Sequence, residues 1–172
     1  FLAIVLVPAL TNSGINPLAS HMFVMYWGML SFITPPVALA AFAAASVANV
    51  APMRAGFEAM RLGAIIYFVP FFFVFNPALL LQGSIIENLQ AFTTAIFGVA
   101  IVSGALQGYM IGVGDLGSGI KGLVIKILVG MSGLMLALPA GGLFGFSQIV
   151  LLAVAVGLLV SGIVARKVLI SS

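Results

Sequence analysis

Long apolar tracts separated by short polar breaks dominate the hydrophobic pattern of this chain. Crossing about 30 Å of hydrocarbon takes roughly 20 apolar residues in a helix. Four tracts have about this length: 62–81, 88–110, 122–140 and 144–165. The breaks between them contain the turn-forming sequences QGSIIEN (82–88), GVGDLGSGIKG (112–122) and PAGG (139–142). The pattern therefore predicts four single membrane crossings.

Upstream of these tracts, the sequence Thr34-Pro35-Pro36 interrupts an apolar stretch that covers 21–48. The halves 22–33 and 37–48 would each form about 18 Å of helix, too short to cross alone. The two prolines lack backbone donors and clash with the preceding turn, and a residue before proline is pushed towards extended conformations. A discontinuous helix is predicted, as one broken crossing or as a re-entrant hairpin. Length slightly favours the broken crossing.

Composition places the chain in a membrane. Of its 172 residues 63% are hydrophobic and 5% are charged, and the mean hydropathy is +1.35. Soluble domains have about 25% charged residues. A membrane β-barrel would show short alternating segments instead of continuous apolar runs. The predicted class is an all-α polytopic membrane protein, and six dispersed basic residues exclude a nucleic-acid-binding patch.

The charged residues give a prediction of topology. With four crossings from residue 62 onwards, all basic residues fall on one side: Arg54, Arg61, Lys121, Lys126, Arg166 and Lys167. Lys and Arg collect in cytoplasmic loops. The C-terminus is therefore predicted to be cytoplasmic. The connector 49–61 is predicted to lie at the interface, and the uncharged loop 11–20 outside.

The break at Thr34-Pro35-Pro36 is the main candidate site. An opened helix exposes carbonyls that can coordinate a cation and a positive helix N-terminus that can face an anion. Ser31 and Thr34 add hydroxyl oxygens, and Thr34 is suited to cap the second half-helix with Pro35 or Pro36 in its first turn. The alternative is a proline kink closed by neighbouring helices.

Polar residues just before the broken helix are weaker candidates. Asn12 and Asn16 offer neutral oxygens for an ion or substrate, although such residues are also typical of turns. His21 is a candidate for proton coupling, or else a hydrogen-bonded boundary residue.

Several other patterns have ordinary structural explanations. GVGDLG at 112–117 matches a dinucleotide-binding fingerprint but follows a membrane span instead of a strand. Gly104, Gly108 and Gly112 have the spacing of a helix-packing face. The chain has no cysteine, one histidine and three scattered carboxylates, so neither a metal cluster nor an enzyme is predicted. No cofactor is predicted apart from Na⁺ as a coupling ion near Thr34.

The segment HMFVMYWGMLSFITPPVALAAFAAASVANVAPMRAGFEAMRLG, followed by FVPFFFVFNPALLL, closely resembles the large membrane subunit of TRAP (tripartite ATP-independent periplasmic) transporters. It is most similar to the fused permeases that work with a TAXI-type receptor. The resemblance covers about residues 1–81, and Thr34-Pro35-Pro36 with Gly28 is its most specific part. Residues 82–172 resemble a C-terminal extension in hydropathy and position alone. The start FLAIVLVPAL, without a methionine, suggests the C-terminal part of a larger permease.

The resemblance implies an elevator-type secondary carrier in a bacterial or archaeal inner membrane. A periplasmic solute-binding receptor would deliver a small organic anion, and a Na⁺ or H⁺ gradient would drive uptake. Family substrates include dicarboxylates, keto acids, amino acids and sialic acid. The implied partners are the receptor, a small membrane subunit or its fused equivalent, the remainder of the permease and the bilayer. The alternative, preferred for 88–172, is a structural or assembly module without its own solute site, and a channel stays open as a third possibility.

Overall fold

Helices make up most of the computed structural model, which describes residues 1–138 and 147–170. The helices are α1 (Leu2–Asn12), α2 (Pro17–Leu30), α3 (Leu39–Ala48), α4 (Pro52–Leu62), α5 (Val69–Phe75), α6 (Ile85–Gln107), α7 (Gly119–Ala137) and α8 (Gln148–Ile170). Two-residue strands, β1 (Tyr109–Met110) and β2 (Gly114–Asp115), form an antiparallel hairpin. The chain divides into two compact units, Phe1–Leu80 and Leu81–Ser172.

In the part of the chain that the structure describes, three single helices, α6, α7 and α8, are long and apolar enough to cross a membrane. Together with the helical fold, they confirm the predicted class of all-α polytopic membrane protein. The predicted turn PAGG at 139–142, the end of the predicted span 122–140 and the start of the span 144–165 lie outside the described residues.

In the first unit, the predicted loop 11–20 is much shorter than expected. α1 continues to Asn12 and α2 begins at Pro17. The Asn16 side chain accepts hydrogen bonds from the Leu18 and Ala19 amides, and Pro17 occupies the first helical position, where its missing N–H costs nothing. Only residues 13–16 therefore connect the two helices.

The predicted discontinuity is present between α2 and α3. α2 ends at Leu30 and α3 begins at Leu39, with a cis peptide bond between Pro35 and Pro36. α2 packs against α1 and α5, whereas α3 packs against α4. The two halves thus have different packing partners.

The predicted span 62–81 is not one continuous helix. It consists of a 3₁₀ helix at Ala64–Tyr67, then α5, then a 3₁₀ helix at Pro77–Leu80. A bend of 68° separates α4 from the segment Ala64–Phe75. Pro70 and Pro77 explain the interruptions, because neither can donate the backbone hydrogen bond that a continuous α-helix needs. The Asn76 side chain instead accepts from the Ala78 amide and starts the last short turn.

In the second unit, α7 packs against both α6 and α8. α6 begins with a capping box, in which Ser84 and Glu87 satisfy each other's backbone amides. α6 and α7 approach closely at Gly98 and Gly133. A Cβ atom on Gly98 would lie 2.7 Å from the Gly133 carbonyl oxygen. Only glycine allows this separation.

The prediction that Gly104, Gly108 and Gly112 form one helix-packing face is wrong. Gly108 ends α6 in a left-handed conformation with φ 77°, and Gly112, with φ 84°, lies in the turn of the β-hairpin. A glycine at regular spacing can therefore terminate a helix instead of lining it. GVGDLG forms part of this hairpin and the loop after it, in agreement with its interpretation as a loop.

Candidate functional site

The two prolines free two specific carbonyl groups at the end of α2. In a continuous helix, the amides of residues 35 and 36 would donate to the carbonyls of Ser31 and Phe32. Proline has no N–H, so neither bond can form. The carbonyl oxygen of Phe32 is instead reached by the amides of Ala40 (3.0 Å) and Ala41 (3.4 Å) at the start of α3. The Ser31 carbonyl has lost its helical partner.

The start of α3 differs from its predicted form. Ala38, with φ 35°, holds the N-cap position and no side chain caps the helix. The expectation that Thr34 caps this helix with Pro35 or Pro36 in its first turn is therefore wrong. Four residues separate Thr34 from Leu39, and the Phe32 carbonyl occupies the place that a capping side chain would take.

The Thr34 hydroxyl joins the break to the segment after α4. Its Oγ1 atom lies 2.6 Å from the Leu30 carbonyl oxygen and 2.6 Å from the Tyr67 hydroxyl. A threonine hydroxyl has one proton, and a carbonyl can only accept. Thr34 therefore donates to Leu30, and Tyr67 donates to Thr34. The Tyr67 oxygen keeps its lone pairs for a further partner.

Ser31 lies one turn before Thr34, and its side chain is exposed. Its hydroxyl donates to the Gly28 carbonyl at 2.7 Å. The hydroxyl oxygen and the backbone carbonyl of Ser31 are both acceptors. The break therefore carries several neutral oxygen atoms from residues 31–34, and Tyr67 adds its hydroxyl from a distant part of the chain.

Trp27 of α2 packs against the Tyr67 ring and belongs to a cluster of aromatic side chains from α2 and α5. Trp27 meets Tyr67 edge-on at 6.2 Å between ring centroids, and it meets Phe71 at 6.3 Å. Phe23 meets Phe71 edge-on at 5.2 Å. These separations lie in the range of favourable aromatic pairs. The contact with Trp27 therefore helps to hold the Tyr67 ring, and with it the hydroxyl that meets Thr34.

α4 packs closely over the prolines. A Cβ atom on Gly56 would lie 2.7 Å from Cγ of Pro35 and 3.4 Å from Cε1 of Phe42. Further along the chain, a Cβ atom on Gly63 would lie 3.0 Å from Cδ1 of Ile33. Two glycines thus let the segment 52–63 approach the break.

The remaining sequence candidates lie at the other end of α2. His21 is exposed and precedes Leu30 by nine residues, about 14 Å of helix. Asn16 caps the start of α2, and Asn12 is the exposed last residue of α1. The structure therefore groups Ser31 and Thr34 with Tyr67, and separates them from Asn12, Asn16 and His21.

Sequence reasoning missed Tyr67. It lies 33 residues beyond Thr34, inside a tract assigned to an ordinary span. The available signal was a hydroxyl-bearing aromatic residue in an otherwise apolar run just before Pro70. A buried or half-buried tyrosine hydroxyl usually has a hydrogen-bond partner.

The charged side chains described in α4 are exposed. The described ion pair joins Arg61 Nε to Glu58 Oε2 at 2.9 Å on the exposed face of α4. Within residues 1–138 and 147–170, no three His, Asp or Glu side chains are grouped as metal ligands. Whatever binds at the break would therefore meet backbone and hydroxyl oxygens.

Residues 1–88 match the family described as the tripartite ATP-independent periplasmic transporter, DctM component. The match covers 88 of the 172 residues and includes the whole break, Tyr67 and α4. The chain belongs to this family. No curated protein and no solved structure gives a significant match.

Membership of the DctM family makes the chain a membrane component of a TRAP transporter. The family is one of transporter components and not of enzymes, and such systems combine membrane subunits with a periplasmic receptor. With three apolar helices of spanning length, the chain is a multi-pass membrane protein. Residues 89–172 lie beyond the family match.

Proposed function

We propose that this DctM-family chain contributes a coupling-ion site to a secondary carrier that imports small organic anions. The substrates would be dicarboxylates, keto acids or amino acids, delivered by a TAXI-type periplasmic receptor. A Na⁺ or H⁺ gradient would drive uptake. The carrier would work by an elevator mechanism in a bacterial or archaeal inner membrane, with the rest of the permease and a small or fused membrane subunit.

The observation that carries this proposal is the oxygen cluster at the break. The Ser31 carbonyl lacks its helical donor, and the hydroxyls of Thr34 and Tyr67 lie 2.6 Å apart. Broken membrane helices commonly coordinate ions with unwound carbonyls and helix C-terminal ends. Carbonyl and hydroxyl oxygens can replace part of the hydration shell of a metal ion, so the cluster suits Na⁺. His21, the candidate for proton coupling, lies at the far end of α2.

The same geometry argues against anion binding at the start of α3. The Phe32 carbonyl already accepts the amides of Ala40 and Ala41 there. An anion would have to displace that carbonyl. We therefore assign the cation to this break and expect the organic anion to bind chiefly to other parts of the permease.

The packing supports a broken crossing over a re-entrant hairpin. The two arms of a hairpin would pack on each other, whereas α3 packs on α4.

A cytoplasmic C-terminus is supported by a contact in the second unit. Arg166 near the end of α8 donates to the Asp115 carbonyl at 2.7 Å, so it shares one end with the hairpin between α6 and α7. Basic residues favour the cytoplasmic side.

Uptake into proteoliposomes tests this function. The permease that carries this chain would be reconstituted with its receptor, and uptake would be measured with a Na⁺ gradient, with a proton gradient and with neither. We expect uptake to require the receptor and the Na⁺ gradient. Uptake that is indifferent to both gradients and to the receptor would contradict the proposal.

For the second unit, a structural or assembly role has specific support. The hydroxyls of Thr93, Thr94, Ser132 and Ser161 all donate to carbonyls of their own helices. Deleting residues 82–172 would separate a structural role from a direct role in solute binding. Retained transport with lost assembly would support a scaffold, whereas loss of substrate binding by an assembled permease would support a direct role.

A further inference from the structure

We propose that the second unit binds the headgroup phosphate of an anionic phospholipid between its β-hairpin and two basic side chains. The site consists of the hairpin Tyr109–Asp115, Lys126 of α7 and Arg166 of α8. We call it the basic hairpin end. It lies wholly beyond the family match and does not depend on the coupling-ion site.

The hairpin is held firmly against the helices. The Leu116 amide donates to the Gly108 carbonyl at 2.9 Å, which closes the base of the hairpin. The Leu116 side chain is fully buried and packs in a core with Ala105, Ile125 and Val129. A rigid backbone therefore lies beside the neighbouring basic residues.

Two cations reach the base of this hairpin from different helices. A Cβ atom on Gly108 would lie 3.0 Å from Nζ of Lys126, so the lysine side chain folds back along α7 towards the end of α6. Arg166 Nε donates to the Asp115 carbonyl at 2.7 Å, and its Nη2 would lie 3.1 Å from a Cβ atom on Gly114. Both side chains are partly buried.

Neither cation is neutralised by the described part of the chain. No carboxylate within residues 1–138 and 147–170 forms an ion pair with Lys126 or Arg166. The nearby Asp115 carboxylate accepts from the Gly117 amide at 2.7 Å. An anion would therefore complete the site.

The surroundings favour a lipid over a soluble anion. Exposed apolar side chains flank the two cations on α7 and α8, including Leu123, Ile127 and Val164. The exposed Tyr109 ring lies in the hairpin, and tyrosine is enriched at membrane interfaces. Basic pockets between membrane helices on the cytoplasmic side are known to bind anionic headgroups. Acyl chains would cover the apolar surface while the phosphate meets Lys126 and Arg166.

Lipid binding to the purified permease in detergent tests this site, because a micelle removes the general attraction of an anionic membrane. Native mass spectrometry would compare phosphatidylglycerol with phosphatidylcholine, and a competition arm would add inorganic phosphate. We expect preferential binding of phosphatidylglycerol. K126Q should weaken it about fivefold, the factor for one basic residue at an anionic surface. The Arg166–Asp115 hydrogen bond remains in this variant.

K121Q is the matched control, because Lys121 is exposed on the same helix and has no described contact with the hairpin. It should change binding less than twofold. R166K should bind more tightly than R166Q, since it keeps the charge. Equal losses in K126Q and K121Q, no preference for the anionic lipid, or full displacement by millimolar phosphate would each overturn the proposal.

Discussion

At the scale of single residues, the hydroxyl of Thr34 is the centre of the candidate site. Its bond to Leu30 closes the last turn of α2, and its contact with Tyr67 joins the two segments that flank α3 and α4. Oxygen atoms that are already held in place lose little freedom when they bind an ion. The contributions of the Thr34 and Tyr67 side chains to stability are therefore expected to be energetically coupled.

Removing the Tyr67 hydroxyl should reveal this coupling. We expect Y67F to lower the free energy of unfolding by about 1 kcal/mol, the usual net value of one hydrogen bond. T34V and Y67F together should cost less than the sum of the two single changes. Thermal unfolding in detergent would be measured for the unmodified protein, for T34V, for Y67F and for the double variant.

Y26F is the control for this cycle. The Tyr26 ring packs on Phe73 at 5.3 Å, and its hydroxyl has no hydrogen-bond partner among the described residues. The change should leave stability within about 0.5 kcal/mol. Strict additivity of T34V and Y67F would contradict the coupling.

At the scale of elements, α4 packs over the break through Gly56. A methyl group there would come within 2.7 Å of Pro35. We expect G56A to destabilise the protein by about 1–3 kcal/mol through overpacking. The control is G157A in α8, where a Cβ atom would meet nothing within 4 Å. That change should be neutral or stabilising by up to about 1 kcal/mol, because alanine favours a helix. If G56A and G157A had equal effects on thermal unfolding, the close packing of Gly56 on Pro35 would be contradicted.

The crossing of α6 and α7 gives a second test at this scale. G98A would direct a methyl group at the Gly133 carbonyl and at Ala137, and should cost about 1–3 kcal/mol. In G130A the new methyl group would lie 3.5 Å from Ala105, an ordinary contact, so stability should hardly change. The midpoints of thermal unfolding of G98A and G130A would each be compared with that of the unmodified protein. If G130A were as harmful as G98A, the crossing would not lie at Gly98.

Some elements were predictable because their signals are local. Thr34-Pro35-Pro36 removes consecutive donors, and any helix must open there. The capping box at Ser84 and Glu87 was also visible in the sequence but was assigned to a loop. Hydropathy reports burial in lipid and does not show the interruptions of the tract 62–81, which Pro70 and Pro77 impose on its backbone.

At the scale of the whole molecule, the family match and the apolar helices agree on a membrane component of a TRAP transporter. The pairing of Thr34 with Tyr67 could not be predicted, since it joins residues far apart in the chain. The packing role of Gly98 was hidden for the same reason, because its partner Gly133 belongs to another helix. Non-local contacts of this kind leave no periodic trace in one sequence.

The central claim is that the break binds the coupling ion, and the Na⁺ dependence of uptake tests it most directly. The variant T34V would be compared with T93V, because both hydroxyls donate to the carbonyl four residues earlier, but Thr93 lies in α6. We expect T34V to raise the half-saturating Na⁺ concentration about tenfold, equivalent to about 1.4 kcal/mol. T93V should change it less than twofold. Equal half-saturating concentrations in T34V, T93V and the unmodified permease would contradict the account.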